Sequence, residues 1–329
     1  MSEIDIDLPP LEDRPLVTFA LFAYNQEKYI REAVEGAFAQ TYEPLEIILS
    51  DDCSTDRTFE IMEEMVSNYT GIHNIVVLRN RGNQGTLNHV INVCRAARGS
   101  LIVVAAGDDI SLPHRTEMLI REMDNDAWAI SGSYFEINED GIFIRETINK
   151  QDEFISQVGP YSWVQIHGAT ACYRKALFDI IQSSPQKVFL EDFVISGLLF
   201  GLGVKVRVTE NPLVFHRIHE ENTGIKLSYA IYSSHEEMER KAANLFKLRY
   251  EALEYLLSTK IFFGKGKKIN DVFKEYSYFN KLKSTWIDAG ILGRVRILWN
   301  SLKWGELRFA LLRLFGLSVY LFYTRTKLH

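Results

Sequence analysis

Residues 101–109 have the sequence LIVVAAGDD, and this stretch decides the fold class. Six apolar residues precede a glycine and two aspartates, which is the composition of a strand buried on both faces. Open α/β sheets bind ligands at the carboxyl ends of their strands, where these aspartates lie. Adjacent carboxylates repel each other unless a cation or a hydroxyl-rich ligand compensates them. Carboxylate oxygens at a strand end suit Mg²⁺ or Mn²⁺ that holds a diphosphate. Gly-Asp-Asp is, alternatively, typical of a solvated turn.

Strands and helices alternate along the chain up to residue 110. Apolar segments at 16–23, 44–50, 75–78 and 101–106 predict strands, and helical spacing is found at 27–40, 59–66 and 86–97. Ser54 or Thr55 is expected to cap the second helix. Short connections between alternating elements predict an α/β fold with a parallel, doubly wound sheet.

The pattern changes after Pro113, where antiparallel pairing is expected. Asp140-Gly141 predicts a hairpin between strands at 128–137 and 142–147, so the sheet becomes mixed. The remaining predicted elements are a helix at 117–123, a strand at 168–173, helices at 174–181 and 191–200, and strands at 204–208 and 213–217. From about residue 227 the pattern is that of long helices.

Three predicted strands end in polar residues. These ends are Tyr24-Asn25, Asp51-Asp52 and Asp108-Asp109, and in a parallel sheet they would border one crevice. The chain has neither the G-x-G-x-x-G nor the G-x-x-x-x-G-K-[ST] motif, which argues against a dehydrogenase or a P-loop enzyme.

Composition is ordinary for a globular protein, but charge is unevenly distributed. The formal balance is −17 over residues 1–240 and +11 over residues 241–329, so we expect the basic part to meet something anionic. Cys53, Cys94 and Cys172 form neither a disulfide framework nor a metal-ligand spacing, and a reducing cytosol is expected. No signal peptide and no run of about 18 apolar residues is found.

Several motifs in a fixed order resemble the family 2 glycosyltransferases of the GT-A fold over about residues 16–225. They are VTFALFAYN (17–25), Gln40-Thr41-Tyr42, EIILSDDCSTD (46–56), NRGNQGTLN (80–88), Gly107-Asp108-Asp109, Glu191-Asp192 and FHRIHEENT (215–223). The resemblance implies a Rossmann-like, mostly parallel mixed sheet flanked by helices, with a C-terminal helical extension. It also implies inverting transfer of a sugar from a nucleotide diphosphate to a hydroxyl.

The resemblance implies a nucleotide site at the first strand ends. Asp52 would accept a hydrogen bond from the N3–H group of a uracil, and Asp108 would hold the ribose or share the metal. Helix capping and pairing with the helix dipole are the alternative for Asp51 and Asp52. The expected nucleotide-binding residues are Ala23, Tyr24, Asn25, Glu27, Asp52, Gly82, Asn83 and Asp108.

Gly107-Asp108-Asp109 takes the place of the family's metal-binding D-x-D motif. Ala106 stands where the family often has an acid, so the metal would depend on Asp109, phosphate oxygens, water and His219. Mn²⁺ or Mg²⁺ bound there would neutralise charge on the leaving diphosphate.

The Glu191-Asp192 pair resembles the family's catalytic motif. Asp192 would be the general base and Glu191 would orient or bind the acceptor. Alternatively, both begin an apolar helix, whose first turn favours acids. Arg217 would face the diphosphate on the same side as His219. Trp163 and His167 are weak acceptor candidates, for which a core role is equally good.

The expected domains are a lead-in (1–15), a catalytic domain (16–226) and a helical region (227–329). The catalytic domain would comprise a nucleotide-binding half (16–110) and an acceptor half (111–226).

Residues 292–329 mix large apolar residues with seven basic residues and one acidic residue. They predict an amphipathic helix on a membrane surface, or alternatively a helix packed on the catalytic domain or a partner subunit.

The expected protein is a hexosyl- or N-acetylhexosaminyltransferase, peripheral on the cytoplasmic face of the cell membrane. Its donor would be a UDP-sugar by family habit, and its acceptor a glycan or a polyprenyl-diphosphate-linked glycan for a surface polysaccharide. No nucleic acid partner is expected, and a homo-oligomer is left open. The alternatives are an inactive sugar-nucleotide binder or assembly subunit, which Ala106 would explain, and a sugar nucleotidyltransferase. The nucleotidyltransferases use a Gly-rich basic loop where this chain has residues 24–27.

Overall fold

A computed structural model describes residues 13–149, 166–219 and 235–259, with isolated positions at 274, 277, 278, 281, 282, 284, 285 and 297. Residues 13–219, where described, belong to one compact unit, and the helix at 235–258 belongs to a second unit. Trp163 and nearly all of the basic tail at 292–329 lie outside the described residues.

The first unit contains nine strands and six α-helices among its described residues. The strands are β1 (Val17–Ala23), β2 (Leu45–Asp51), β3 (Asn74–Arg79), β4 (Leu101–Ala106), β5 (Ile110–Ser111), β6 (Ala127–Ile137), β7 (Phe143–Thr147), β8 (Ala171–Arg174) and β9 (Lys205–Arg217). The helices are α1 (Ile30–Phe38), α2 (Thr58–Ser67), α3 (Thr86–Ala96), α4 (Arg115–Glu122), α5 (Ala176–Ile180) and α6 (Glu191–Leu202).

All nine strands form one mixed sheet. Its order is β3-β2-β1-β4-β8-β6-β9-β5, and β7 pairs with β6 at the side of this path. Strands β1, β2, β3 and β4 are mutually parallel, whereas β8 is antiparallel to both β4 and β6. The predicted α/β fold, with a mostly parallel sheet that becomes mixed, is confirmed.

The first strands are fully buried because helices cover both faces of the sheet. Every residue of β1 and β2 is buried, as the continuous apolar runs predicted. Helix α1 buries Ile30, Ala33, Val34 and Ala37 against the core, which is the spacing of one helical face. This packing fixes the strand ends in place, which the site requires.

Three local predictions were wrong. Lys205–Arg217 form one long strand, β9, because its parallel pairing with β6 continues through irregularities near Pro212 instead of ending there. Residues 168–170 form a 3₁₀ turn before β8. Helix α2 begins at Thr58, whose N–H donates to Asp56 Oδ1 (3.0 Å), so neither Ser54 nor Thr55 caps it. The predicted hairpin at Asp140-Gly141 is confirmed.

The second unit contains α7 (His235–Ser258), a helix of 24 residues. On this helix Ala252, Leu253 and Leu256 are buried. Among the described residues, no helix is both long enough and apolar enough to cross a membrane.

Candidate active site

The polar ends of β1, β2 and β4 meet at one edge of the sheet. Ala23 is in register with Asp51, and Phe22 is in register with Ala106. The Ala23 carbonyl accepts a hydrogen bond from the N–H of Asp52 (2.9 Å), which joins the first two ends directly. The predicted convergence of these strand ends at one edge of the sheet is confirmed.

The loops that follow β1 and β2 are held together by side chains. The N–H of Asn25 donates to Ser54 Oγ (2.9 Å), and the Asn25 side-chain oxygen accepts from the N–H of Thr55 (2.8 Å). Glu27 likewise accepts from the N–H of Arg57 (3.0 Å). Asn25 and Glu27 therefore join the loops that follow β1 and β2, whereas Tyr24 is exposed.

Asp52 organises the loop between β3 and α3. Its carboxylate accepts from the Asn80 amide (2.7 Å) and from the N–H groups of Gln84 (2.9 Å) and Gly85 (3.1 Å). Gly82, which is exposed, and Asn83, which is half-buried, lie in this loop. Both Asp52 oxygens are thus used within the protein.

Asp51 differs from its neighbour because one of its oxygens is not used. Oδ2 accepts from the N–H of Ser54 (2.9 Å) and lies 3.4 Å from Arg79 Nε. Oδ1 is buried and makes no hydrogen bond within the described residues. Nearby, His89 is hydrogen-bonded to Ser50 Oγ (2.7 Å), and burial lowers its pKa despite the charges of Asp52 and Asp51.

Asp108 and His219 form a close pair at the end of β4. Asp108 Oδ2 lies 3.0 Å from His219 Nε2, and the side chains retain 12% and 6% of their exposure. The His219 ring packs against Tyr29, with 5.1 Å between ring centroids. A carboxylate oxygen and an imidazole nitrogen at this distance can share a divalent cation.

Asp109 is buried and surrounded by donors. Its carboxylate accepts from the N–H of Arg217 (2.8 Å) and from His216 Nδ1 (3.1 Å). Burial would raise the pKa of Asp109, but His216 and the Arg217 N–H hold it below its usual value. Arg115 also lies nearby; burial lowers its pKa to about 10, so it remains a cation at neutral pH.

Arg217 is almost fully buried. Its Nε donates to the Asp108 carbonyl (3.1 Å), Nη1 donates to the Glu139 carbonyl (2.8 Å), and Nη2 donates to Glu32 (2.6 Å). The guanidinium also lies 4.8 Å from the centre of the Tyr29 ring. Arg217 thus lies on the same side as His219, as the alternation predicted, and it fixes the backbone beneath Asp108.

Glu191 and Asp192 form the first turn of α6 and are half-buried. A Cβ atom built on Gly168 would lie 2.7 Å from Glu191 Oε1 and 3.2 Å from Asp192 Cβ, so the 3₁₀ turn lies against both acids. Asp192 Oδ1 accepts from the N–H of Phe193 (2.6 Å). Burial, and secondly the charge of Asp192, raises the pKa of Glu191 to about 8.

An aromatic cluster connects the 3₁₀ turn with the histidine that contacts Asp109. The ring of His167, the residue before Gly168, lies 4.7 Å from both Tyr134 and His216. Sequence reasoning identified neither Tyr134 nor Arg115, because a tyrosine and an arginine inside regular elements carry no motif. His216 lies in the FHRIHEENT segment, and its hydrogen bond to Asp109 gives it a structural role.

The described residues contain no group of three or more His, Cys, Asp or Glu side chains arranged to hold a metal ion. A cation in this crevice would therefore take only part of its ligands from the described protein, and Asp108 with His219 is the pair that fits this requirement.

Comparison with known proteins identifies the domain. Residues 18–181 match the family described as Glycosyl transferase family 2. The chain carries a family 2 glycosyltransferase domain. An uncharacterized glycosyltransferase of Haemophilus influenzae is 35% identical over 128 residues, which is 39% of either chain. The succinoglycan biosynthesis protein ExoO of Rhizobium meliloti is 37% identical over 117 residues, covering 35% of this chain and 32% of ExoO. This chain thus matches well under half the length of these relatives.

Solved structures show the same fold. The mannosyltransferase PcManGT of Pyrobaculum calidifontis, in complex with GDP-Man and Mn²⁺, superposes with a TM-score of 0.59. It is 14% identical, and the match covers 98% of this chain and 87% of PcManGT. TarS 1–349 of S. aureus, in complex with UDP, gives a TM-score of 0.56 at 15% identity, covering 86% and 78% of the two chains. The GT-A fold expected for the family 2 domain is therefore present.

Proposed function

We propose that this protein transfers a sugar, with inversion, from a nucleotide diphosphate donor to a hydroxyl of a glycan acceptor. The observation that carries the proposal is the Asp108–His219 pair, 3.0 Å apart at the end of β4. This pair lies at the edge of the sheet where the resemblance to family 2 glycosyltransferases implies the donor site. The acids at the start of α6 would belong to the acceptor half, and they lie against the 3₁₀ turn that follows His167.

The donor nucleotide is expected to lie against the ends of β1 and β2. Tyr24 is 44% exposed there and offers a ring face on which a base can stack. Asp52 holds the neighbouring loop in shape. After a small local opening, Asp51 Oδ1 would accept a hydrogen bond from the imide N–H of the nucleotide base of the sugar donor. We propose a UDP-sugar, which the UDP complex of TarS supports, although PcManGT is a GDP-Man complex.

Asp108 and His219 would hold the divalent cation. The remaining ligands would be diphosphate oxygens and water, which suits Mn²⁺ or Mg²⁺. The bound cation would neutralise charge on the departing diphosphate. We assign Asp109 and Arg217, which sequence interpretation placed at the metal and the diphosphate, to the frame, because their polar groups are hydrogen-bonded inside the protein.

Asp192 would act as general base. As the acceptor oxygen forms its bond to the anomeric carbon, its proton passes to the Asp192 carboxylate, and the bond from that carbon to the nucleotide diphosphate breaks. Attack opposite the leaving group inverts the anomeric centre. Proximity of base and acceptor in one crevice supplies much of the rate.

We propose a glycan or polyprenyl-diphosphate-linked glycan as acceptor, in line with the name of the ExoO relative. The sugar would be a hexose or an N-acetylhexosamine, and the product a surface polysaccharide. The basic tail at 292–329 would hold the enzyme on anionic lipid at the inner face of the cell membrane. Flotation with vesicles containing anionic lipid tests this, since removal of 292–329 should abolish binding; equal flotation would contradict it.

A donor screen tests the activity. The purified chain is incubated with a panel of UDP-, GDP- and TDP-sugars and Mn²⁺, and release of the nucleoside diphosphate is measured. Asp108→Asn and His219→Gln should each lower Mn²⁺-dependent release by about 100-fold, with unchanged thermal unfolding. Asp140→Asn is a matched control, because Asp140 is exposed in the hairpin turn.

An inactive sugar-nucleotide binder is the second candidate, and Ala106 favours it because the family often has an acid there. This alternative predicts that a nucleotide sugar binds, that Asp108→Asn weakens binding, and that no donor is turned over with any acceptor. Release of diphosphate that depends on both Asp108 and Mn²⁺ would exclude it.

A further inference from the structure

The segment that leads into α6 is fastened to helix α3 at several points. We call this segment, residues 181–190 between α5 and α6, the connector. At its start, the Arg95 guanidinium of α3 donates to the Ile181 carbonyl. Near its end, the Val188 carbonyl accepts from the N–H of Leu87 on α3 (3.0 Å). Helix α3 therefore holds the connector at both ends.

Asn88 fixes the middle of the connector by two reciprocal hydrogen bonds. Its Nδ2 donates to the Ser184 carbonyl (2.9 Å), and its Oδ1 accepts from the N–H of Ser184 (2.7 Å). Ser184 is buried, so loss of these bonds would leave backbone groups without partners away from bulk water. Both bonds go to the backbone, so they depend on the amide of Asn88 and not on the side chain at position 184.

The start of α3 also belongs to the loop that Asp52 organises. The N–H of Gly85, the residue before α3, donates to Asp52 Oδ2 (3.1 Å). Gly85 has a φ of 78°, which favours glycine, and a Cβ atom built on it would lie 3.1 Å from Lys187 Cβ. Lys187 of the connector therefore packs directly against the loop beside the proposed nucleotide site.

The other end of the connector passes into the turn that carries the proposed base. Val188 and Leu190 are buried, and the Leu190 carbonyl accepts from the N–H of Val194 (3.1 Å) as α6 begins. Asp192 lies in this first turn. The 3₁₀ turn packs against it, since a Cβ atom built on Gly168 would be 3.2 Å from Asp192 Cβ. The connector and this turn together set the place of Asp192.

We infer that Asn88 is a positioning residue for sugar transfer, because it holds the connector on α3 and so sets the place of Asp192 relative to the Asp52 loop. The inference rests on the proposed function. Transfer requires the anomeric carbon of the donor, the acceptor hydroxyl and the base to be aligned at once, and a small displacement of one of them lowers the rate strongly. Asn88 acts through the connector, whereas the bonds of Asp52 keep the donor loop in shape without it.

The kinetic test compares wild type, Asn88→Ala and Ser184→Ala. Alanine suits a helix, and at position 88 it removes both hydrogen bonds. Ser184→Ala is the matched control, since it keeps the backbone groups that Asn88 uses and removes only a hydroxyl that accepts from the N–H of Gln186 (3.2 Å).

Asn88→Ala should lower kcat by about tenfold or more and leave the donor KM within about twofold of wild type. Ser184→Ala should stay within about twofold of wild type in both constants. Circular dichroism checks that both variants are folded. An unchanged kcat in Asn88→Ala, a rise in the donor KM alone, or an equal loss of kcat in Ser184→Ala would overturn the inference.

A measurement without turnover separates this inference from the proposed function. Hydrogen exchange of the whole chain, followed by mass spectrometry, reports local opening of the connector. Asn88→Ala should raise exchange in residues 182–192 by about tenfold or more and leave exchange in β1 unchanged, whereas Ser184→Ala should change neither. Unchanged exchange of 182–192 in Asn88→Ala overturns the inference even if sugar transfer is observed. Faster exchange there in a chain that transfers no sugar supports the role of Asn88 in fixing the connector and contradicts only the proposed function.

Discussion

Two acidic regions of this protein shift the pKa of a carboxyl group in opposite directions. Asp109 is surrounded by the Arg217 N–H, His216 and the nearby cation Arg115, and its pKa is lowered. The Glu191–Asp192 pair has a second acid as its neighbour, and the pKa of Glu191 is raised. An acid surrounded by donors, such as Asp109, belongs to the frame, whereas a carboxyl group with a raised pKa is suited to holding or moving a proton.

Removal of a carboxylate from each region should separate the two roles, with the largest effect at Asp192. Asp192→Asn cannot accept the acceptor proton, so kcat should fall by about 10²- to 10⁴-fold while thermal unfolding stays near that of wild type. Initial rates at saturating donor, with circular dichroism for the fold, measure this. Normal turnover of Asp192→Asn would contradict the base assignment, and the two regions would then no longer differ in function.

The second prediction concerns the cation of the compensated region. Arg115 is fully buried and donates to Ser111 Oγ (2.8 Å) and the Val104 carbonyl (2.6 Å). Arg115→Met keeps the apolar volume but leaves these acceptors and the charge of Asp109 less well satisfied. We expect a loss of about 3 kcal/mol in the free energy of unfolding, measured by urea denaturation.

Arg121→Met is the matched control for this loss. Arg121 lies on the same helix, and its ion pair with Glu122 is partly exposed, so a loss below about 1 kcal/mol is expected. Adding Asp109→Asn to Arg115→Met should restore part of the stability, because the unpaired charge is removed. Equal losses for Arg115→Met and Arg121→Met would show that Asp109 does not depend on a buried cation.

These contrasts also show what the sequence could predict. Continuous apolar runs with polar ends located β1, β2 and β4 and placed their ends at one edge, since periodicity and parallel pairing are local consequences of sequence. The same pattern could not distinguish Asp108 from Asp109, or Asp51 from Asp52. Adjacent acids look alike in a sequence, but the folded backbone gives both oxygens of Asp52 internal donors and leaves Asp51 Oδ1 without one among the described residues.

Long-range packing accounts for most of what was missed. Arg115 meets Val104 and Ser111 only because α4 lies against the sheet, and β9 continues past Pro212 only because β6 pairs with it. Asn25 and Cys53 adopt positive φ angles of 52° and 64° in the loops around the crevice. Asparagine is common in that conformation, but nothing in the sequence marks the cysteine.

The smallest predicted effect is a difference in how pH affects the stability of the two regions. The lowered pKa of Asp109 stabilises the fold above about pH 4, and this contribution is lost as pH falls. The raised pKa of Glu191 acts in the opposite sense. Its contribution is complete below the ordinary value of 4.5 and is lost as pH rises through about 8.

Thermal unfolding from about pH 3 to about pH 9 should therefore separate two variants from wild type at opposite ends. Relative to Asp109→Asn, wild type should lose about 2 °C as pH falls below about 4; relative to Glu191→Gln, it should lose a similar amount between about pH 5 and pH 8. If both differences in unfolding temperature changed in the same direction with pH, the two acids would share one electrostatic environment. Changes in opposite directions follow only if the fold favours the ionised form of Asp109 and the protonated form of Glu191.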